Sequence, residues 1–388
     1  MRVLFVHNKY GVHSGEEAMI ERIMDLLRVN GHEVEAFFKE SRGLEAGFLP
    51  KIKAFFSGIY SFAAKRELAK AVAEFRPDVV QVQNLFPLIS PSVLPMLNRM
   101  GVPVVMRLSN YRLICPSGLF MSHGELCNRC RGGKEYWCAI RNCENNRFKS
   151  IGYALRNWVA RRFNLYSSNV TRYYAQTSFQ QKLIGSEGYS VDRIGLIPNM
   201  VQPLGDGQQA GAVGSFVGFV GRMSPEKGVD VFLEAARACP DIPFKIAGDA
   251  GKYQSQKELP VNVELLGHLN RDDLNEFYQQ CRFVVVPSLW YEGFPGVIIE
   301  AMRYSKPVIA SRIGGLPEIV EHEKTGLLFE PDNEKELSAL VTRLWDDNDA
   351  TQQLGKAGVK KVSSEYSPEV YYKRLMSIYD QALSETRA

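Results

Sequence analysis

The chain has 388 residues, enough for two domains and short of a clear third. With 45% hydrophobic and 23% charged residues, it is neither a disordered chain nor a disulfide mini-protein, and no apolar run of about 18 residues marks a membrane span. Net charge is +4 but uneven: residues 1–200 hold 27 Lys and Arg against 16 Asp and Glu, and the remainder hold 20 against 27, so the first half suits an anionic partner.

The predicted elements alternate strand and helix. Residues 2–7 (RVLFVH) read as a strand, 16–30 as a helix stopped by Gly31, and 32–38 as the next strand. Further strands fall at 79–83, 103–109, 173–178 and 193–199. Residues 205–214 carry four glycines and little to bury, which predicts a linker. Strands then recur at 215–221, 243–249, 263–268, 283–287, 307–311 and 326–330, with closing helices over 333–345 and 349–361. Apolar strands separated by helices predict parallel sheets covered on both faces. The expected organisation is a domain over 1–204 with a cysteine-rich insertion at 115–147, the linker, and a second domain over 215–365. A last helix over 366–388 has the first domain as its candidate docking partner. Two doubly wound domains facing across a cleft would bind a ligand at the carboxyl ends of their strands.

The N-terminus begins directly with an apolar strand, which predicts a cytoplasmic chain. Five of the seven cysteines lie between Cys115 and Cys143. In a cytosolic chain such clustering suits metal or redox chemistry better than disulfides. Cys127, Cys130, Cys138 and Cys143 are spaced as a candidate structural zinc site, with Cys115 as an alternative ligand. The competing reading is reduced, unligated thiols. The segments 48–66 and 147–163 mix apolar and basic residues, suiting either core packing or an anionic membrane surface.

Two segments concentrate the chemistry. In 219–236 (FVGRMSPEKGVDVFLEAA) a strand ends at Gly221 and a helix starts after Gly228, with Arg222 and Lys227 flanking the turn. Paired cations at a strand-to-helix turn suit a diphosphate. In 283–320 an apolar strand runs to Pro287, and a loop leads to Pro295 at the start of a helix. Backbone N–H groups of Gly293, Phe294 and Gly296 would meet an anion or a sugar hydroxyl there. Glu292 stands just before this helix and Glu300 about two turns into it; a carboxylate accepting two vicinal hydroxyls reads a ribose well.

Arg222 and Lys227, then Glu292 with seven residues before Glu300, then Gly315-Leu316-Pro317-Glu318, resemble the retaining glycosyltransferases of family GT4. The resemblance implies the GT-B fold of two Rossmann-like domains, with a nucleoside-diphosphate sugar held mainly by the second. It further implies transfer to a hydroxyl of a glycan or lipid-linked acceptor with retention, in polysaccharide biosynthesis of the bacterial type. Its implied roles are the donor diphosphate for Arg222 and Lys227, the ribose for Glu300, and the donor sugar for Glu292 with Gly293, Phe294, Pro295 and Gly296. HNKYGVHSGEE resembles the family's glycine loop, with Ser14-Gly15 in place of Gly-Gly. Ser109 and Asn110 fall near the donor sugar, and Gln81, Gln83 and Ser109 stand where that branch often has histidines. No catalytic cofactor is implied, because arginine and lysine supply the positive charge. The location implied is the cytoplasm or the inner face of the membrane. The other readings considered are a sugar-nucleotide epimerase or phosphorylase on the same plan, and a nucleic-acid binder using the basic half; no recognised nucleic-acid motif accompanies the latter.

Overall fold

A computed structural model describes residues 1–9, 15–41, 55–204, 213–251, 253 and 258–387. The chain divides into two units. The first comprises Met1–His123, Cys127–Ile197 and Tyr371–Ala388; the second comprises Pro198–Val370 with Gly124–Leu126. Residues 205–212 of the expected linker lie outside the described residues.

In the first unit the strands are β1 (Arg2–Lys9), β2 (Glu33–Glu40), β3 (Val79–Val82), β4 (Val104–Arg107), β7 (Arg172–Ala175) and β8 (Ile194–Leu196), with the short β5 (Met121–Ser122) and β6 (Glu125–Leu126) between β4 and β7. The six-stranded sheet has the order β2-β1-β3-β4-β7-β8, every pair parallel. Val3 to Val6 and Val79, Val80 and Val82 are buried, as strands covered on both faces require. The order reverses between β1 and β3, so their carboxyl ends form a topological switch point.

The second unit holds β9 (Phe216–Val220), β10 (Phe244–Ala247), β11 (Val263–Gly267), β12 (Cys281–Val286), β13 (Val308–Ser311) and β14 (Gly326–Phe329) in the order β11-β10-β9-β12-β13-β14. This is the doubly wound order of dinucleotide-binding sheets, with its switch point between β9 and β12. Helices Val229–Ala238 and Glu334–Asp346 bury Phe232, Leu337 and Val341 on one face. Gly296–Arg303 buries Ile298, Ile299 and Met302 on the other.

The last helix, Pro368–Arg387, joins the first unit from Tyr371 onward. Tyr379 donates through its hydroxyl to Gln81 Oε1, and Gln81 Nε2 donates to Tyr174 Oη at 2.8 Å. Tyr371 and Tyr174 hydroxyls lie 3.4 Å apart, and His32 Nε2 meets Tyr372 Oη at 2.9 Å. Gln81 is thus a buried structural anchor for this helix. No helix among the described residues is long and apolar enough to cross a membrane.

Candidate functional site

The second unit's switch point gathers the residues of both sequence segments. After β9, Gly221 and Arg222 lead into a 3-10 turn, Pro225–Lys227, closed by Gly228 at φ 69°. A Cβ on Gly228 would lie 1.7 Å from the carbonyl oxygen of Pro287, so only glycine lets this turn press on the end of β12. Leu289 N donates to Glu226 O at 3.0 Å and fixes the same contact. The result is an ion pair: Lys227 Nζ lies 2.7 Å from Glu292 Oε1. Ser288 Oγ donates to that oxygen at 2.8 Å, and Lys227 Nζ sits 5.4 Å from the Trp290 ring centroid. Glu292 is buried. A cation and a hydroxyl donor of this kind satisfy the hydrogen-bonding needs of a buried carboxylate.

Arg222 occupies the same strand end and, among the described residues, is held by an exposed pair to Glu226 at 3.3 Å. Such a pair contributes little and leaves the guanidinium available to an incoming anion. The helix Gly296–Arg303 starts after Pro295 with no side-chain cap, and a Cβ at Gly296 would meet nothing within 4 Å. Its first turn therefore faces open space with its amide dipoles uncapped by a side chain. Phe294 turns its ring into the core, edge-on to Tyr366 at 5.4 Å, and its carbonyl accepts from Asn199 Nδ2 at 3.1 Å. Only its backbone can serve the site. Glu300, one turn into the helix, accepts from Tyr278 Oη at 3.3 Å. Burial, and then Glu300, push the Tyr278 hydroxyl well above the usual tyrosine range, so it remains a donor. After β13, Gly314 at φ 56° packs its backbone near Tyr291; a Cβ added there would lie 3.4 Å from the Tyr291 ring and Cα. This places the Gly315–Glu318 turn beside the loop that carries Glu292.

In the first unit, a small pocket at the carboxyl ends of β3 and β4 is lined by Gln83, Asn84, Arg107, Ser109, Asn110 and Arg112. Ser109 Oγ donates to Glu16 Oε1 at 2.6 Å, at the start of the helix Gly15–Val29. Asn110 Oδ1 accepts from Arg112 N, and Arg112 Nη1 donates to Asn84 Oδ1, both at 3.0 Å. Gln83 is buried, and among the described residues neither its Oε1 nor its Nε2 has a hydrogen-bond partner. His7 lies beside this region, its Nδ1 3.3 Å from Asn84 N. Burial lowers its pKa to about 4 despite the nearby Glu16 carboxylate, so its ring is neutral at pH 7.

Lys227, Glu292 and Arg222 therefore meet at one strand-end cluster, with Gly293 to Gly296 and Glu300 on the loop and helix that follow. Ser109 and Asn110 belong to the other unit. Gly15 is the first residue of its helix, and Ser14 lies outside the described residues. Ser288, Trp290 and Glu16 were absent from the sequence-based site. A lone serine, tryptophan or helix-start glutamate has no spacing that marks it.

None of the five clustered cysteines forms a disulfide among the described residues. Cys130 and Cys138 are buried against Ala154, with Cys143 partly buried beside them. Among the described residues no three His, Cys, Asp or Glu side chains are grouped to hold a metal ion. A hydrogen bond from Cys138 lowers the Cys143 thiol to about 6, while that same bond and burial push Cys138 up.

Residues 213–361, spanning the whole second sheet, match the family described as Glycosyl transferases group 1. An uncharacterized glycosyltransferase of Methanocaldococcus jannaschii is 37% identical over 168 residues, covering 42% of this chain and 47% of that protein. The chain spans about half the length of the first curated relatives it matches. A longer match, 25% identical, joins 82% of this chain to 87% of an uncharacterized protein in the cps region of Klebsiella pneumoniae. The fold is that of GT-B proteins. Sucrose-phosphate synthase of Thermosynechococcus elongatus superposes with a TM-score of 0.73 at 17% identity, over 99% of both chains. Anabaena HepE, solved with UDP and glucose, superposes with a TM-score of 0.67 at 18% identity, over 98% of this chain and 100% of that one.

Proposed function

We propose that the chain is a retaining glycosyltransferase that moves a hexosyl group from a nucleoside-diphosphate sugar to a hydroxyl of a glycan or lipid-linked acceptor in polysaccharide biosynthesis. The observation that carries this reading is the Lys227–Glu292 pair at the carboxyl ends of β9 and β12, within the residues that match the group 1 family. An arriving diphosphate competes for Lys227 and recruits Arg222, giving the leaving group two cations. Glu292, released from Lys227, accepts from hydroxyls of the donor sugar while Ser288 holds it in place. Glu300 accepts from the ribose, and the uncapped first turn at Gly296 adds amide donors.

With charge stabilisation on the diphosphate, the sugar–oxygen bond breaks toward an oxocarbenium-like state, and the acceptor hydroxyl attacks from the face the phosphate leaves. The departing phosphate oxygen takes the acceptor proton, so no protein nucleophile is required. Arg222 and Lys227 supply the counter-charge that a catalytic metal provides in other transferases. HepE binding UDP and glucose supports a uridine-type donor as the first to try. A lipid-linked acceptor would bring a cytoplasmic chain to the inner face of a membrane.

The test is an incubation with a panel of nucleotide sugars, with and without oligosaccharide or polyprenyl-linked acceptors. The reading requires acceptor-dependent release of nucleoside diphosphate and a new glycoside whose anomeric configuration matches the donor. Isomerised donor without release would point to an epimerase, and phosphate-dependent cleavage to a phosphorylase.

A further inference from the structure

The helix Arg147–Arg162 is amphipathic in the reverse sense. Its inward face carries Ser150, Gly152, Ala154, Arg156, Asn157 and Ala160, all buried. Its solvent face carries Phe148, Ile151, Leu155 and Trp158, which are 49%, 50%, 37% and 50% exposed. These four recur at helical spacing and form one stripe. A globular helix buries such a stripe; here hydrogen bonding sets the orientation instead. Arg156 Nη2 donates to Pro116 O at 2.7 Å, and Asn157 Nδ2 donates to Arg112 O at 2.6 Å. The polar face thereby holds the loop that follows β4, and the apolar face is left outward.

The stripe continues onto a neighbouring segment. Phe55 stacks on Phe148 with centroids 4.6 Å apart, and a Cβ on Gly152 would meet the Phe55 ring at 2.6 Å, so helical residues 55–59 lie directly against this helix. Phe56 of that segment and Phe62, the first residue of the next helix Phe62–Phe75, project into solvent, 63% and 79% exposed. Contiguous apolar exposure on this scale marks an interaction surface.

Charge selects the partner. The sequence RFKSIGYALRNWVARR contains no acidic residue. Arg147 and Arg162 lie exposed at its two ends, and Lys65 and Arg66 follow the Phe62 side. Arg161 and Lys149 are already paired, with Glu135 at 2.6 Å and Glu144 at 2.7 Å. Large apolar side chains flanked by arginines, with tryptophan near the rim, match the boundary of an anionic bilayer, where rings enter the acyl region and guanidinium groups meet phosphates. We propose that this face docks the chain on anionic membrane lipid, with Phe148, Ile151, Leu155 and Trp158 inserted and Arg147 and Arg162 on headgroup phosphates. The proposal stands apart from the transfer reading, because it concerns a surface and needs no turnover to test.

The experiment is vesicle flotation of the full chain, using phosphatidylcholine alone and phosphatidylcholine with phosphatidylglycerol at three to one. Wild type is compared with Ile151→Ser/Trp158→Ser and with Arg147→Glu/Arg162→Glu; sedimentation velocity and melting temperature are recorded for each. The expected result is flotation with the anionic vesicles, weakened by salt, and reduced at least about tenfold in each double variant at unchanged melting temperature. Three results overturn the proposal: wild type that stays with the soluble fraction, double variants that float like wild type, or a wild-type dimer that the apolar variant dissolves without any vesicle binding. The last would assign the face to a second copy of the chain. The altered side chains face solvent, so a lost melting transition is not expected; should one variant unfold, the other still decides the question.

Discussion

Lys227 and Glu292 are 65 residues apart in sequence and 2.7 Å apart in the fold, joined because Gly228 lets one strand-end turn rest on the end of the next strand. The pair gives a buried carboxylate a cationic partner and offers that cation to a ligand. Removing one partner differs from removing both. Lys227→Ala strands a buried carboxylate and should destabilise by about 1–3 kcal/mol, whereas Lys227→Ala/Glu292→Gln should recover part of that loss. Urea denaturation of the two single variants and the double variant measures the coupling.

Glu300→Gln should weaken nucleotide binding by about 1.5–3 kcal/mol, since charge-assisted acceptor bonds become neutral ones. Tyr278→Phe removes a 3.3 Å hydrogen bond to Glu300 and should cost about 0.5–1.5 kcal/mol. Calorimetric titration with nucleoside diphosphate reads both. A Glu300→Gln variant that binds as wild type would exclude a ribose contact.

Much of the second unit was legible beforehand. Its strands are covered on both faces and so read as continuous apolar runs such as FVVV at 283–286. That Arg222, Lys227 and Glu292 fall near strand ends and Glu300 on the following helix was legible, because glycine and proline mark the turns between those elements. Partnerships across long separations were not: Ser109 and Glu16 are 93 residues apart, and nothing in either segment announces the other. The inverted helix at 147–162 is a third kind of case. Its pattern shows two faces, but only the carbonyls of Arg112 and Pro116 decide which one turns inward.

The Ser109–Glu16 bond sets what Ser109→Ala should do. The serine donates to a carboxylate at 2.6 Å, so its loss should cost about 1.5–3 kcal/mol of stability. The effect on kcat should stay below about tenfold, as for one removable polar contact. Thermal melts alongside turnover separate the two effects. A hundredfold loss of kcat in a fully folded Ser109→Ala protein would make the hydroxyl a direct participant.

His7 supplies a pH dependence with a definite sign. Its folded pKa of about 4 lies below the ordinary 6.5, so the unfolded chain binds the proton first as pH falls. The stability of the neutral buried ring is complete above pH 6.5 and is lost progressively between 6.5 and 4. The loss from this residue is on the order of 3 kcal/mol. Denaturation across pH 4 to 7 should show that slope in wild type and a shallower one in His7→Gln. Equal slopes would place the acid sensitivity elsewhere.

The most direct measurement is isothermal titration of wild type, Arg222→Ala and Lys227→Ala with a nucleoside and with its diphosphate. If the β9–β12 strand ends hold a donor diphosphate, wild type binds the diphosphate more tightly than the nucleoside. Each variant then loses about tenfold or more for the diphosphate while the nucleoside is nearly unaffected. Equal losses for both ligands, or diphosphate binding unchanged in both variants, would contradict the assignment of these cations to the donor.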